Sequence, residues 1–298
     1  MRVATSTLSE NLIRQIQQLG SQQARLQTQV ATGQRIFQPE DDPTAVGRVL
    51  ALESERREIG QYGRNVDRAL EIAQVSFSGL QGLKAVSDRA TEVGVLGSGT
   101  LSTEAAQAYA TEVDQLIEQT LQLANTKLRN DYIFAGTAVD APPFTATRNG
   151  AGQVTAVTYA GNAAQAPIQL SESSSIAPGT TGATNTSIRD LLNQLVALRD
   201  ALNLNDGTAV KAAQTGLIAS EDALVAALAE TGGVQMRIEA SQTQLDNRND
   251  SIERLISAEA DLDLPTAIVK LNQTQTSYQA ALQSSASIMR QSLLDYIR

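Results

Sequence analysis

The residue types that most often perform enzymatic chemistry are missing from this sequence. It contains no histidine and no cysteine, which removes imidazole general bases, imidazole metal ligands and thiol nucleophiles. The absence of cysteine also excludes disulfides and thiolate zinc sites, and it leaves the redox compartment undetermined. The glycine-rich segment 94–99 is not followed by Lys-Ser or Lys-Thr, so it does not fit a phosphate-binding loop. Carboxylate catalysis and weak binding of divalent cations are the chemistry that remains.

Two acidic clusters are the best candidates for such carboxylate chemistry. Residues 40–42 (EDD) stand directly before Pro43, and residues 261–263 (DLD) end two positions before Pro265. Acidic residues just before a proline are typical of a helix start, where they cap free amides and complement the helix dipole. We therefore interpret both clusters as helix starts, with Asp42 as the cap of the first. The sequence predicts no catalytic residue, no metal site and no cofactor.

Length, composition and charge favour a chain of packed helices. The 298 residues are 42% hydrophobic but only 3% aromatic, so the apolar content is mainly aliphatic. A net charge of -9 argues against nucleic acid as a partner, because phosphate binding needs a basic surface. No apolar run reaches membrane-spanning length, so we expect no membrane partner. Residues 1–7 lack the apolar stretch of a secretory signal, which leaves a cytoplasmic chain or export by another route.

A heptad pattern near each end of the chain predicts the first elements that could position functional residues. Apolar residues alternate at spacings of four and three, which keeps one stripe of a helix facing a partner helix. Gly33 is the expected stop of the first of these helices. A single helix in water cannot shield its own apolar stripe, so we expect the two end helices to pair and to mediate assembly. The predicted assembly seam comprises Leu12, Ile16, Leu19, Leu26 and Val30, together with Leu264, Ile268, Leu271, Tyr278, Leu282, Met289 and Tyr296.

The two end helices are also nearly free of charge. Residues 271–294 contain one charged residue, Arg290, and residues 11–34 contain only Arg14 and Arg25. An exposed helix normally carries charge over its solvent face, whereas these helices carry Gln, Ser, Thr and Asn. The pattern favours helices packed by neighbours on several sides over an ordinary Gln-rich hairpin.

Helical patterns continue between the two ends. Helices are expected from Pro43 to about residue 93, and from the N-cap Ser102 to about Leu128. Heptad spacing resumes in the second half of the chain, where we expect an interruption at Gly232 and Gly233. These segments predict a helical body that lies between the end helices in the chain.

A change of composition predicts a small β-rich insert in this body. Residues 138–186 hold four of the seven prolines and only three charged residues, and short β-branched runs alternate with turns. We expect this insert to be removable without loss of the helical body. The predicted fold class is mainly α, with long coiled-coil terminal helices, a helical body and the β-rich insert. The predicted domains are the paired terminal helices (1–43 and 250–298), the helical body (44–137 and 187–249) and the variable insert (138–186).

Several segments resemble the flagellin superfamily and, within it, the hook-associated protein 3 family. Residues 31–36 (ATGQRI) and 39–45 (PEDDPTA) resemble the N-terminal signature of the superfamily. Pro43 stands where flagellins usually have alanine. Residues 130–137 (NDYIFAGT) resemble the segment of the hook-associated family that leads into its variable domain, and residues 292–297 (SLLDYI) resemble its C-terminus. The resemblance covers both ends and the helical body but not the insert.

This resemblance implies a structural, non-enzymatic subunit of the bacterial flagellum. Members of the family are exported unfolded through the flagellar type III apparatus without a cleaved signal, and the C-terminal helix is expected to bind an export chaperone in the cytoplasm. They form a ring by self-association between the first hook-associated junction protein and the flagellin filament. Their paired terminal helices line the inner tube, and their middle domains face outward. The resemblance therefore implies an extracellular position at the hook–filament junction.

Two other functions stay open on the sequence alone. A flagellin, which forms the filament itself, belongs to the same structural class. A cytoplasmic coiled-coil adaptor would use similar heptads inside the cell. Assembly into long filaments in vitro would favour the flagellin, and absence of the protein from the cell exterior would favour the adaptor.

Overall fold

The computed structural model describes the backbone of residues 2–297 and the side chains of residues 10–288. Within that range the chain is mainly helical. Apolar residues recur at helical spacing, and nearby side chains can cap the free backbone groups at the helix ends. None of the helices described is both long enough and apolar enough to cross a membrane. The helices are α1 (Arg2–Thr32), α2 (Pro43–Gly97), α3 (Thr103–Ala124), α4 (Gly182–Asn203), α5 (Gly207–Ala260) and α6 (Leu264–Ile297).

Antiparallel hairpins occupy the segment between α3 and α4. In the longest hairpin, Phe144 lies opposite Tyr159, and the register shifts between Thr147 and Arg148. A mainly α fold with a small β-rich part is therefore confirmed. The strand pairs are β1 (Lys127–Leu128) with β2 (Asp131–Tyr132), β3 (Phe144–Arg148) with β4 (Val154–Tyr159), and β5 (Ile168–Gln169) with β6 (Ser175–Ile176).

The chain divides into two compact units. One unit comprises residues 1–58 and 248–298, and the other comprises residues 59–247. Helices α2 and α5 contribute residues to both units. The division into terminal helices, body and insert that the sequence suggests stays a prediction.

The unit of residues 59–247 holds a large hydrophobic core formed by leucine-rich helices. Small residues of α2 allow close approach: a Cβ added at Gly79 would stand 2.9 Å from Cζ of the Phe134 ring. Burying each large aliphatic side chain contributes roughly 1.5–3 kcal/mol. The core includes Leu80, Leu83, Val113, Ile117, Ile188, Leu191, Leu192, Leu195, Leu198, Leu217 and Leu224.

The β3–β4 hairpin is part of this core. Phe144, Val154 and Val157 are buried among the helix side chains. The Asn193 side chain of α4 accepts from the Val157 N–H at 3.0 Å and donates to the Val157 carbonyl at 3.1 Å. The expectation that residues 138–186 can be removed without loss of the body therefore conflicts with the packing.

Helix starts follow the signals in the sequence. Helix α2 begins at Pro43, and the Asp42 carboxylate caps it by accepting from the Ala45 N–H at 3.0 Å. The Ser102 hydroxyl caps α3 by accepting from the Ala105 N–H at 3.2 Å. Both predicted caps are thus confirmed.

One expected interruption and two helix boundaries differ from the expectations. Helix α5 runs without interruption through Gly232 and Gly233, because packing along the helix offsets a propensity cost of roughly 1 kcal/mol per glycine. Helix α3 ends earlier than expected, at Ala124. Helix α4 begins at Gly182, inside the predicted insert.

Candidate assembly surface

Helices α1 and α6 pair in an antiparallel arrangement. Gly20 lies against Tyr278, and a Cβ added at Gly20 would stand 3.5 Å from Cε2 of that ring. Nearer the end of α1, the Gly33 carbonyl accepts from the Leu262 N–H at 2.9 Å. The two helices whose heptads predicted a partner therefore pair with each other.

The predicted seam of α1 coincides with its partly buried stripe. Its members are half-buried, and most of the side chains between them are exposed. Half-burial is what a single partner helix provides, so the uncovered part of the stripe is available to other neighbours. The half-buried seam residues are Leu12, Ile16, Leu19, Leu26 and Val30.

The covered stripe of α6 differs in part from the predicted seam. It also follows alternating spacings of four and three, and it shares Leu271 and Tyr278 with the prediction. Several of its other members are small, so that α1 and α6 lie close together. The covered residues are Ala267, Leu271, Thr274, Tyr278, Ala281, Ser285 and Ile288.

Three predicted residues of α6 form an exposed second stripe, which we call the outer stripe: Leu264, Ile268 and Leu282. Their side chains are 43%, 45% and 44% exposed. At about 100° per residue, the outer stripe lies roughly 60–100° around the helix from Ala267 in the covered stripe. Met289 and Tyr296 lie outside the residues whose side chains are described. Helix α6 thus carries one apolar stripe toward α1 and a second one toward solvent.

Four charged side chains connect the ends of this helix pair to the neighbouring helices; we call Arg35, Asp42, Arg48 and Glu259 the clasp. Arg35 donates to the Glu259 carbonyl at 2.6 Å and to the Asp42 carboxylate at 3.2 Å. Arg48 binds the Glu259 carboxylate through two hydrogen bonds of 2.9 Å. Arg35 lies between α1 and α2, and Glu259 lies in the last turn of α5. The clasp therefore joins the two connections that lead into the terminal helices.

The backbone of the two connections supports the clasp. Gln34 and Asp261 form an isolated antiparallel bridge. The Arg35 N–H donates to the Ala260 carbonyl at 2.7 Å. Gly33 has a φ of 71°, in the left-handed region that favours glycine, which confirms it as the stop of α1.

The carboxylates of this region are stabilised in their ionised form. Hydrogen bonds, first from the Ala45 N–H and then from neighbouring hydroxyl and guanidinium groups, lower the pKa of Asp42 from its ordinary 3.8 to about 2. Backbone N–H groups of the preceding turn lower the pKa of Asp41. The hydrogen bonds from Arg48 lower the pKa of Glu259. All three groups are therefore charged at neutral pH and serve as anchors for hydrogen-bond donors.

Both acidic clusters act as helix starts in the structure. Asp42 caps α2, and in the second cluster the Asp263 carboxylate accepts from the Thr266 hydroxyl at 2.6 Å. Across the part of the chain that the structure describes, no three His, Cys, Asp or Glu residues are grouped as metal ligands would be. The absence of catalytic residues and cofactors stays a prediction of the sequence.

Sequence patterns predicted the helix pair but missed most of the clasp. Of its residues only Asp42 was singled out, as a cap. Glu259 and Arg35 are 224 residues apart in the chain, so no local spacing links them. Arg35 does lie in the ATGQRI segment that resembles the flagellin superfamily, and that resemblance was the one signal available.

Comparisons with known proteins connect the chain with flagellar proteins. Residues 3–139 match the model of the bacterial flagellin N-terminal helical region. The chain is 29% identical over 230 residues to flagellar hook-associated protein 3 of Escherichia coli, a match that covers 76% of this chain and 67% of that protein. It is 28% identical over 185 residues to flagellar hook-associated protein 3 of Salmonella typhimurium, which covers 61% of this chain and 56% of that protein.

Solved structures have the same fold at lower identity. A structure described as a flagellar hook-associated protein from Vibrio parahaemolyticus matches with a TM-score of 0.66 at 17% identity, covering 74% of this chain and all of that one. Bacillus cereus FlgL matches with a TM-score of 0.61 at 21% identity, covering 70% of this chain and 99% of that one. Both likenesses show the fold that this chain adopts.

Proposed function

We propose that this chain, as a relative of flagellar hook-associated protein 3, is a structural subunit of the bacterial flagellum that joins the hook-associated region to the flagellin filament. The flagellin helical region in residues 3–139 and the similarity over 76% of the chain to the Escherichia coli protein support this role. The subunit acts by holding its neighbours together, and no catalytic step is part of the proposal.

The finer part of the proposal concerns partners and route. The subunit associates with copies of itself in a ring, and it contacts the first hook-associated junction protein on one side and flagellin on the other. It reaches the cell exterior through the flagellar export apparatus without a cleaved signal, after a chaperone has bound α6 in the cytoplasm. The near absence of charge in residues 11–34 and 271–294 supports this picture, because burying unpaired charge between subunits is costly.

The observation that carries the proposal is the outer stripe of α6. Leu264, Ile268 and Leu282 remain between 43% and 45% exposed although α1 covers the adjacent stripe. Full burial of an exposed leucine or isoleucine contributes roughly 1.5–3 kcal/mol, and because these side chains are already more than half buried, a neighbour that covers one of them adds somewhat less than half of that. An apolar stripe on a helix with hardly any charge is suited to packing against a helix of another subunit.

Two matched charge substitutions on α6 test the proposal. Leu282→Asp places a carboxylate on the outer stripe, and Ser277→Asp places the same group at an exposed position on the other side of the covered stripe. We expect Leu282→Asp to abolish assembly, because an ionised group cannot be buried without a partner at low cost. Ser277→Asp should assemble normally. Immunogold labelling of isolated flagella and the amount of flagellin shed into the medium are the measurements.

The position of the label separates the alternatives. A band at the hook end is expected for the junction subunit, whereas label along the whole filament would favour a flagellin. Protein found only inside cells would favour a cytoplasmic adaptor. If Leu282→Asp cells make full filaments and swim, the outer stripe is not an assembly surface.

A further inference from the structure

A cavity in the unit of residues 59–247 lies outside the assembly surface. Its volume is about 330 Å³, which is at the small end of the roughly 300–1,000 Å³ range of ligand pockets. The wall is largely aliphatic and the rim is polar, so the cavity suits an apolar side chain. The aliphatic wall includes Ile72, Leu128, Ile133, Val139, Pro167 and Ile168.

The rim of the cavity carries two arginines that differ in their pairing. Arg129 binds the Glu71 carboxylate at 2.8 Å. Arg68 has no ion pair with any residue that the structure describes, and its side chain is exposed. Asp131 is a second carboxylate of the lining, so the lining as a whole has no net charge, and Arg68 is the one arginine there without an ion pair among the described residues. The cavity therefore fits an apolar group that is followed closely by a hydrogen-bond acceptor, which Arg68 can bind.

A loop elsewhere in the same unit presents such a pair of groups. Leu204, between α4 and α5, is 79% exposed, the highest value among the large apolar side chains described. The loop is tight, since Asn205 has a φ of 52°, and Asp206 follows directly before α5. The Asp206 side chain is exposed and caps α5: its Oδ1 accepts from the Thr208 N–H at 2.9 Å and from the Ala209 N–H at 3.1 Å, which leaves its other oxygen, Oδ2, for a partner. We call Leu204 and Asp206 the knob.

The knob and the cavity cannot meet within one chain. The knob follows Leu202, which lies against Gly97 at the end of α2: a Cβ added there would stand 2.6 Å from Leu202 Cδ2. The cavity is lined by Ile72, which lies about 25 residues before Gly97 in the same helix. At 1.5 Å per residue that separation is roughly 38 Å. The knob of one copy can therefore reach only the cavity of another copy.

We propose that Leu204 of one copy of this chain inserts into the cavity of the next copy, with Asp206 facing Arg68. The contact joins two different patches, so it is heterologous and repeats around a ring or along a helix of subunits. An apolar side chain seated in a pocket is the usual anchor of a protein interface. The inference rests on the proposed function, because it needs copies held side by side in the flagellum.

Engineered cysteines test this contact directly, because the chain has none of its own. The full-length variant with Leu204→Cys and Pro167→Cys is expressed in place of the natural protein, and isolated flagella are oxidised. We expect disulfide-linked multimers of the chain on non-reducing gels, which reductant returns to monomers. The matched control combines Leu204→Cys with Gln122→Cys, an exposed position on α3 that does not line the cavity. It should stay monomeric.

Each outcome decides the inference. Multimers from the Pro167 pair and not from the Gln122 pair support it. Monomers from both pairs, in flagella that contain the normal amount of the protein, overturn the contact and leave the proposed function standing. Absence of the natural chain from flagella overturns both. A second variant, Leu204→Asp, should melt like the natural protein because Leu204 is exposed. It should nevertheless be lost from isolated flagella, because a carboxylate, unlike the small apolar side chain of cysteine, is costly to bury in the cavity; full retention would overturn the contact.

Discussion

The two arginine–aspartate pairs of α4 show how burial changes what an ion pair contributes. Arg199 and Arg189 each bind the carboxylate of the following residue at 2.6 Å. The Arg199 side chain is only 3% exposed, and it also binds Asp114 at 3.0 Å and the Val154 carbonyl at 2.7 Å. The Arg189 side chain is 38% exposed. The first arginine therefore links three elements inside the core, whereas the second pairs in contact with water.

We expect Arg199→Ala to lower the free energy of unfolding by about 3 kcal/mol, because it leaves a buried carbonyl and a carboxylate without their donor. Arg189→Ala is the matched control and should change it by less than about 1 kcal/mol. Urea unfolding followed by far-ultraviolet circular dichroism measures both. Equal effects of the two substitutions would show that Arg199 is not a structural link.

The clasp gives a second prediction for a single residue. Because the pKa of Asp42 falls from 3.8 to about 2 on folding, its stabilising effect is complete above pH 3.8 and is lost as the pH falls through about 2. Asp42→Asn keeps a capping side chain but not the charge. We expect the melting temperature of this variant to fall less than that of the natural chain between about pH 5 and pH 2. Asp222→Asn, an exposed substitution outside the clasp, should behave like the natural chain.

At the scale of elements, the sequence could predict that the terminal helices pair, but it could not predict which stripe of α6 is covered. The pairing of α1 with α6 was predictable because heptad spacing is a local property. The covered stripe of α6 was not, since Leu271 and Tyr278 belong to two overlapping frames and either Ala267 or Ile268 completes a spacing of four and three. Contact with α1 decides between them, because Ala267 is buried whereas Ile268 and Leu282 stay exposed.

The packing of the β3–β4 hairpin likewise could not be predicted from local sequence patterns. Its β-branched runs predicted strands, but residues 138–186 looked separable because few of them are charged and turns separate the runs. The place of Phe144 and Val157 in the core depends on side chains of α3 and α4 that are distant in sequence. Local signals such as the Asp42 cap were predictable, whereas contacts between distant segments were not.

The two stripes of α6 respond differently to charge in the free subunit. Leu271→Asp places a carboxylate between α1 and α6, so we expect faster amide hydrogen exchange along both helices. Leu282→Asp should leave the exchange of the free subunit unchanged, because its side chain is on the outer stripe. Hydrogen exchange followed by mass spectrometry compares the two variants. Similar exchange in both would contradict the division into a covered and an outer stripe.

At the scale of the whole molecule, the two compact units differ in how much apolar surface they bury. Among the side chains described, the buried apolar residues of the unit formed by 1–58 and 248–298 are Ala45, Ile252 and Ala267. The unit of residues 59–247 buries many leucines, isoleucines and valines. The stability of the terminal unit therefore depends on half-buried seams and on the clasp.

We expect the free subunit to unfold in two steps, with the terminal unit losing structure first. Amides of α1 and α6 should exchange faster than those of α3 and α4, while keeping enough protection for a change to be measured. Leu191→Ala, in the core of the second unit, should lower the upper transition alone by about 2–5 kcal/mol. Scanning calorimetry and hydrogen exchange check this order, and one common transition for the whole chain would refute it.

The contact between Gly20 and Tyr278 joins positions about 260 residues apart in the chain. Contacts of such long sequence separation form late, because the intervening chain must first be closed into a loop. A polypeptide that stops short of α6 has no partner for α1 and no outer stripe. Under the proposed function, a polypeptide without α6 would therefore lack the surface that we propose for assembly, so the helix pair would restrict assembly to chains that contain both helices.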